Sequence, residues 1–479
     1  MSFYKPYAEY KDSGIEWLGQ VPKHWSVKRL RYAATLNPSI RPGILDDLDS
    51  KVSFLPMETI GEDGSLDLGQ SRSVAAVRNG YSFFENGDVA FAKVTPCFEN
   101  GKGALLHGLI GGVGFGTSEL TVLRPRIGFD ARFLNYLIQS QQFRALGAGS
   151  MTGAGGLKRV PDEFTRNFEA AWPDLAEQQA IALHLDCEIT SIDTLLKKKT
   201  RFIELLREKR EALITQAIEK GHEPGVKLKD TGVEYLQHAP DHWAVMRLRY
   251  AATLNPSIDS VLLDDPDSEV SFLPMEAIGE NGSLDLRQTR PVATVRHGYS
   301  YFENGDVAFA KVTPCFENGK GALLHGLIRG AGFGTSELTV LRPKIGFDAR
   351  FLSYLVNSQK FRALGVGAMT GAGGLKRVPD EFTRNFKTAW PPLAEQRAIA
   401  SHLDRETDSL DTLLANTKRS IDLLKERRAG LISAAVTGQI DLRKTTCVVD
   451  QNQPSASRVG HSLHLPLFRT DGDSRHCQS

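Results

Sequence analysis

The chain has 479 residues, of which 41% are hydrophobic and 24% charged, with a net charge of +1. That length predicts several domains and those proportions predict buried cores. No apolar run reaches the roughly 18 residues of a membrane-spanning helix, and the near-neutral charge lacks the basic excess of a protein that grips nucleic acid unaided.

The N-terminal stretch MSFYKPYAEYKDSGIEWLGQ mixes both charges and has no apolar signal core. Cys97, Cys187, Cys315, Cys447 and Cys477 are few, odd in number and far apart. They suit a reducing compartment better than a disulfide framework, so a cytoplasmic protein is expected. Residues 30–168 are rich in Gly and in short apolar runs. SFLPM, DVAFAKV and LTVLRP read as strands bounded by Pro or Gly. ARFLNYLIQSQQFRALG at 131–147 reads as one helix, with Phe133, Leu137 and Phe143 on its apolar stripe and Gly147 as its stop. The expected result is a mixed α/β fold, a compact twisted sheet with a helix or two, whose strand order the sequence does not give.

A long helix is predicted over 174–220. Ile189, Ile192, Leu196, Lys199, Ile203, Leu206, Arg210, Leu213 and Ala217 recur in steps of three and four, a heptad seam with two charged interruptions. Pro173 precedes the helix where proline does least harm, and Gly221 ends it. From there the chain repeats itself. Residue n resembles residue n+218 without insertion from Trp25/Trp243 to Leu213/Leu431, and FENGDVAFAKVTPCFENGKGALLHGLI at 84–110 recurs unchanged at 302–328. MTGAGGLKRVPDEFTRNF at 151–168 recurs at 369–386. A domain-sized unit repeated once predicts a pseudo-symmetric molecule with two equivalent sites rather than a solenoid. The second helix follows Pro391, has its seam at Thr407, Leu410, Leu414, Thr417, Ile421, Leu424, Arg428, Leu431 and Ala435, and ends at Gly438. Each helix would span roughly 65–70 Å. Residues 444–479 have no periodicity and read as a disordered tail.

Catalytic signatures are near-misses. NPSI at 37–40 and 255–258 lacks the second proline and aromatic of an amino-methyltransferase loop and suits a turn. TGAGGLKR at 152–159 lacks the Gly-Lys-Ser/Thr of a nucleotide-binding loop. In PDLAEQ, Asp174 becomes Pro392 in the second copy, so no nuclease carboxylate pair is kept. Cys97 and His107 have no second pair to complete a zinc site.

Three signatures together carry a family resemblance. KDSGIEWLGQVPKHW at 11–25 is echoed by KDTGVEYLQHAPDHW at 229–243. The helix starts are PDLAEQQAIALHLD at 173–186 and PPLAEQRAIASHLD at 391–404, and the chain leaves its second helix through LISAAVTGQIDLR at 431–443. With GDVAFAKVTPCFENGKGALL, these resemble the specificity subunits of type I restriction–modification systems, over nearly the whole chain to about residue 443. The resemblance implies an α+β architecture: two mixed α/β target-recognition domains separated by two long antiparallel coiled-coil helices, pseudo-twofold symmetric. Residues 1–172 would hold the N-terminal segment and first recognition domain, 173–221 the central helix, 222–390 the second domain and 391–443 the C-terminal helix. It implies a non-catalytic chain that reads a bipartite target on double-stranded DNA. Two adenine methyltransferase (modification) subunits would dock on it, and helicase–nuclease (restriction) subunits would join them. S-adenosylmethionine, ATP and Mg would belong to those partners, with no cofactor in this chain.

Candidate DNA contacts follow from side-chain chemistry. Lys158 and Arg159, with Lys376 and Arg377, follow a Gly-rich stretch that lets backbone approach DNA, and their cations suit phosphate or guanine. In AKVTPCFENGKG, Lys93, Thr95, Glu99, Asn100 and Lys102, repeated as Lys311, Thr313, Glu317, Asn318 and Lys320, crowd a Pro/Gly-broken loop. Asn suits adenine, Lys guanine and Glu cytosine, although some of these could cap turns. Thr117, Ser118 and Glu119 could read bases or cap a strand end. Trp25 and Trp243 are expected as core anchors, and Glu177, Gln178, Glu395 and Gln396 as helix caps or partner contacts. Because the two sets of loops are the same, an interrupted palindrome is the expected target. The competing expectations are a standalone methyltransferase or nuclease, which needs a cofactor or metal motif, and a coiled-coil scaffold that binds only proteins.

Overall fold

The computed structural model describes residues 4–443 except 155, 281 and 373, so the predicted tail at 444–479 lies outside the described residues. The chain forms two units, one of Met1–Thr194 with Lys425–Ser479 and one of Leu195–Leu424. Two helices are shared between them: a central helix, Leu175–Lys220, and a C-terminal helix, Leu393–Val436. Each unit thus owns one globular module, the beginning of one long helix and the end of the other.

The first module runs β1 (Tyr10–Asp12), β2 (Gln20–Pro22), β3 (Ser26–Arg29), α1 (Leu30–Ala33), β4 (Ala34–Leu36), β5 (Lys51–Leu55), β6 (Ser71–Ser73), α2 (Val74–Val77) and β7 (Ser82–Glu85). It continues through β8 (Val89–Ala92), β9 (Gly103–Leu105), β10 (Val113–Gly116), β11 (Leu120–Pro125), α3 (Ala131–Gln139), α4 (Gln141–Gly149), α5 (Asp162–Asn167) and β12 (Glu169–Trp172). SFLPM, DVAFAKV and LTVLRP supply β5, β8 and β11, as predicted. The single sheet expected from them is instead two. One has the order β6-β5-β10-β7, with β5 and β10 parallel; the other, β4-β11-β8-β9, is antiparallel throughout.

Side-chain alternation explains the layering. Leu55, Phe84, Ala90, Ala104, Leu120 and Val122 point from both sheets into a shared core. On the far side of the first sheet, Val52, Phe54, Phe83 and Phe115 meet Val74 and Val77 of α2. On the far side of the second, Phe91 packs on Phe143 of α4, ring centroids 5.5 Å apart. Strand β8 is buried at all four positions because both its faces are covered. Leu228–Trp390 repeats the arrangement: Ser53 opposite Gly114 becomes Ser271 opposite Gly332.

The predicted helix over 131–147 is broken. Ser140, at φ −61° and ψ 149°, ends α3 and caps α4, its hydroxyl accepting from the Phe143 N–H at 3.3 Å. Gly147 does not stop the chain. It lies inside α4, where an added Cβ would fall 2.4 Å from the Phe98 ring. RVPDEF turns into α5 at Asp162. Pro161 precedes the helix, with its ring preset for the start.

Along the central helix Ile189, Ile192, Leu206 and Ala217 are buried, while Lys199 and Arg210 are half-buried. The seam arginines have acidic partners on the other long helix. In the first unit Arg428 Nε lies 3.0 Å from Asp193, and in the second Arg210 Nε lies 3.7 Å from Asp411. The two pairs are the same pair, shifted by the repeat. Residues after the C-terminal helix complete the first module. The Asp441 N–H donates to the Lys5 carbonyl at 2.8 Å and the Tyr10 hydroxyl to the Gly438 carbonyl at 3.2 Å. Gly438 lies against Pro22 and the fully buried Trp25. In the second unit Gly221, at the end of the central helix, lies against Trp243.

Candidate nucleic-acid interface

Three segments singled out in the sequence meet at one end of the second sheet. The chain leaves β8 at Lys93 and enters β11 from Glu119, and the Lys93 N–H donates to the Glu119 carbonyl at 2.9 Å. The Gly-rich stretch folds onto both. The Val160 N–H donates to the Lys93 carbonyl at 2.8 Å, and the Thr95 N–H to the Lys158 carbonyl at 3.0 Å. The Thr95 hydroxyl accepts from the Lys158 N–H at 3.0 Å and donates to the Gly156 carbonyl at 3.2 Å. Its oxygen is therefore occupied in holding the turn.

The turn needs its glycine. Thr152 and Arg159 exchange two backbone hydrogen bonds, of 3.0 and 2.8 Å, and close the base of a projection that carries Gly153, Leu157 and Lys158. Gly153 has φ +145°, and a Cβ there would lie 2.3 Å from the Leu157 carbonyl oxygen. Lys158 is exposed and makes no ion pair among the described residues. Arg159 is also exposed, but its guanidinium forms a two-point pair with Glu119: Nε to Oε2 at 2.8 Å and Nη2 to Oε1 at 2.6 Å. The hydrogen bond from Arg159 holds the Glu119 carboxyl below its ordinary range. Sequence reading named both residues as candidates but not their pairing, because they are forty positions apart.

The rest of the loop after β8 faces elsewhere. Phe98 is buried among Phe91, Phe143 and Gly147 and anchors the loop to α4. Lys102 Nζ donates to the Met57 carbonyl at 3.1 Å, tying the loop to the chain after β5. Glu99 and Asn100 are exposed at its tip. In the second unit, Asn318 and Lys320 line a cleft of about 1010 Å³ against the long helices, whose walls mix Arg207, Arg210 and Arg350 with Asp404 and Asp411. The structure therefore brings Lys93, Thr95, Lys158 and Arg159 together and sets Glu99, Asn100 and Lys102 apart from them. The second unit does the same with Lys311, Thr313, Lys376 and Arg377. The Thr313 N–H to Lys376 carbonyl distance is 3.0 Å, and Arg377 Nη2 lies 2.6 Å from Glu337 Oε1.

Other candidates have internal roles. Trp25 and Trp243 are fully buried. Gln178 is buried and clamps the chain before α3, accepting from the Asp130 N–H at 2.8 Å and donating to the Gly128 and Pro173 carbonyls. The helix cap is Asp174, which accepts from the Glu177 N–H at 2.8 Å. Glu177 itself is buried beside His24, at 2.8 Å. Asn37 of NPSI, with φ +47°, accepts from the Val122 N–H and donates to Asp162, so it fixes a turn between two elements.

No family model matches the chain. It is 38% identical over 186 residues to the EcoAI type I restriction enzyme specificity subunit of Escherichia coli, which is 38% of this chain and 31% of that protein. It is 33% identical over 203 residues to the EcoEI specificity subunit of Escherichia coli, 42% of this chain and 34% of that one. The chain thus matches about a third of the length of these curated relatives. In fold it resembles a chain from a structure describing complex assembly and conformational transition of the type I restriction–modification system. The TM-score is 0.68 at 16% identity, over 88% of this chain and 99% of that one. No helix among the described residues is long and apolar enough to cross a membrane. Over part of its length the sequence is thus similar to type I restriction enzyme specificity subunits, and over most of its length the fold is similar to that of a chain from a type I restriction–modification structure.

Proposed function

We propose that the chain is the DNA-reading subunit of a type I restriction–modification complex, and that each module contacts one half of a bipartite duplex site. The observation that carries this is the projection closed by Thr152 and Arg159, with Lys93 and Thr95 at its base, whose hydrogen bonds recur at Thr370, Arg377, Lys311 and Thr313. A narrow Gly-rich turn carrying an unpaired cation can enter a groove or lie along phosphates. Two such projections on two units joined by continuous helices suit a site of two half-sites and a spacer. The long helices hold the spacing and dock two adenine methyltransferase subunits, to which helicase–nuclease subunits add. S-adenosylmethionine, ATP and Mg enter with those partners, and the chain itself performs no chemistry. The balanced charge fits this division, since partners supply phosphate contacts that the chain does not.

The test is methylation of a defined duplex by purified components. The methyltransferase subunit with this chain should modify one DNA sequence, and either protein alone should modify none. Methyl transfer by the partner-free chain would show an enzyme instead. Assembly without any sequence preference would show a protein-only scaffold.

A further inference from the structure

We infer that the DNA site is an interrupted inverted repeat: one short half-site, a nonspecific spacer, then the reverse complement of the same half-site, with an adenine modified on each strand. This rests on the DNA-reading function proposed above and adds the form of the target.

Two observations carry it. The first is where the two modules differ. The segments forming the projection and its base, 84–110, 114–125 and 151–168, are repeated without change at 302–328, 332–343 and 369–386. Their hydrogen bonds are repeated as well: Lys93 to Glu119 at 2.9 Å and Lys311 to Glu337 at 2.8 Å, Arg159 to Glu119 and Arg377 to Glu337 both at 2.6 Å. Away from β3 and β12, where Lys28 becomes Met246 and Glu169 becomes Lys387, several exposed differences gather around the other sheet, the one containing β5, β6 and β10. Arg41 becomes Asp259, Lys51 becomes Glu269, Gly69 becomes Arg287 and Gly111 becomes Arg329. Two of these reverse charge. A surface that varies in sign between modules cannot present the same face to DNA twice, whereas the projection does. The variation is also compensated internally. Arg41 pairs with Glu85, and where Asp259 replaces it, Phe83 becomes Tyr301, whose hydroxyl donates to Glu303 at 2.7 Å. These exchanges keep each module folded, and identical donors and acceptors on the projection select identical bases.

The second observation fixes the direction of the repeat. Arg210 meets Asp411, and Arg428 meets Asp193. Under the 218-residue shift, Arg210 corresponds to Arg428 and Asp193 to Asp411. Residue i of one long helix therefore meets j of the other while the equivalent of j meets the equivalent of i, so the two helices pair antiparallel. A translational relation, which would give a direct repeat, produces no such reciprocal pair. The same reader carried at equivalent places on two antiparallel helices calls for an inverted rather than a direct repeat.

The experiment is single-molecule sequencing of N6-methyladenine in a methylation-free bacterial host expressing the full chain with its methyltransferase subunit. Selection from a random duplex library by the same purified complex gives a readout independent of catalysis. The expected result is one motif whose two arms are the same at every specified base, modified on both strands. Unrelated arms, or a direct repeat, would overturn the inference while leaving the DNA-reading function intact. Selection of no sequence at all would overturn that function and the inference with it. A chimera carrying residues 259–297 in place of 41–79 should keep the motif unchanged, and an altered arm would show that the variable sheet does the reading.

Discussion

Replacing Lys158 and Lys376 by alanine removes one exposed cation from each projection without touching the hydrogen bonds that shape it, since only the backbone of Lys158 is bonded to Thr95. Each cation withdrawn from a phosphate lowers the slope of log affinity against log salt by about 0.9, so the double variant should bind with a slope smaller by about 1.8. Between about 50 and 200 mM salt, a fourfold change, the native complex should therefore lose about tenfold more affinity than the variant. Arg159→Ala with Arg377→Ala should change the slope less, because Glu119 and Glu337 already neutralise those guanidinium groups across 2.6 Å separations. Fluorescence anisotropy of a labelled target duplex, titrated with the assembled methyltransferase at several salt concentrations, measures both. An unchanged slope in the lysine variant would mean that the projections face solvent. A larger effect from the arginines would refute the argument from neutralisation.

Gly153→Ala with Gly371→Ala should leave assembly and Tm nearly unchanged but weaken specific binding by about tenfold or more, since strain of about 1–3 kcal/mol falls on the projection alone. Equal loss on specific and random duplexes in a competition assay would contradict that. A double-mutant cycle on Asp193→Asn and Arg428→Met should give a coupling near the upper end of the roughly 0.2–1 kcal/mol of exposed pairs, because side-chain exposures are only 24% and 19%; zero coupling by denaturant unfolding would deny the pair a role in register. Removing one heptad from each long helix should shorten the spacer by about three base pairs, seven residues being about 10 Å of helix and each base pair about 3.4 Å. Methylome sequencing that returned the original spacer from an assembled variant would rule out the helices as rulers.

The repeat, the strands of β5, β8 and β11 and the long helices were legible because each rests on periodicity or on punctuation by Gly and Pro. The break at Ser140 was not, since Phe133, Leu137 and Phe143 keep apolar spacing across it and only the backbone of one serine departs from helix. Nor was the division into two sheets: β5 pairs in parallel with β10, some sixty residues on, and alternation within a strand does not name its neighbour. In the candidate interface, residue type suggested Lys158, Arg159 and Thr95 alike. The structure separates them, because a hydroxyl can be consumed by its own turn and a guanidinium by a distant carboxylate. Gly147 misled for a different reason. A glycine ending an apolar stripe reads as a stop, but here its missing Cβ makes room for Phe98.

The borrowed helix end in the first unit has a consequence for how the protein is made. All the parts of the second unit have been synthesised once Leu424 is added, whereas the first lacks residues from Lys425 onward, including the Gly438 that covers Trp25. At roughly 5–20 residues per second, the intervening 230 or so residues take roughly 12–46 s to translate. Throughout that interval the N-terminal module holds Trp25 covered by Tyr7 and Phe133 but open on its Gly438 side, and a central helix without its partner helix. The second-made unit closes first, and the nascent N-terminal module is the stage at which a chaperone would be needed.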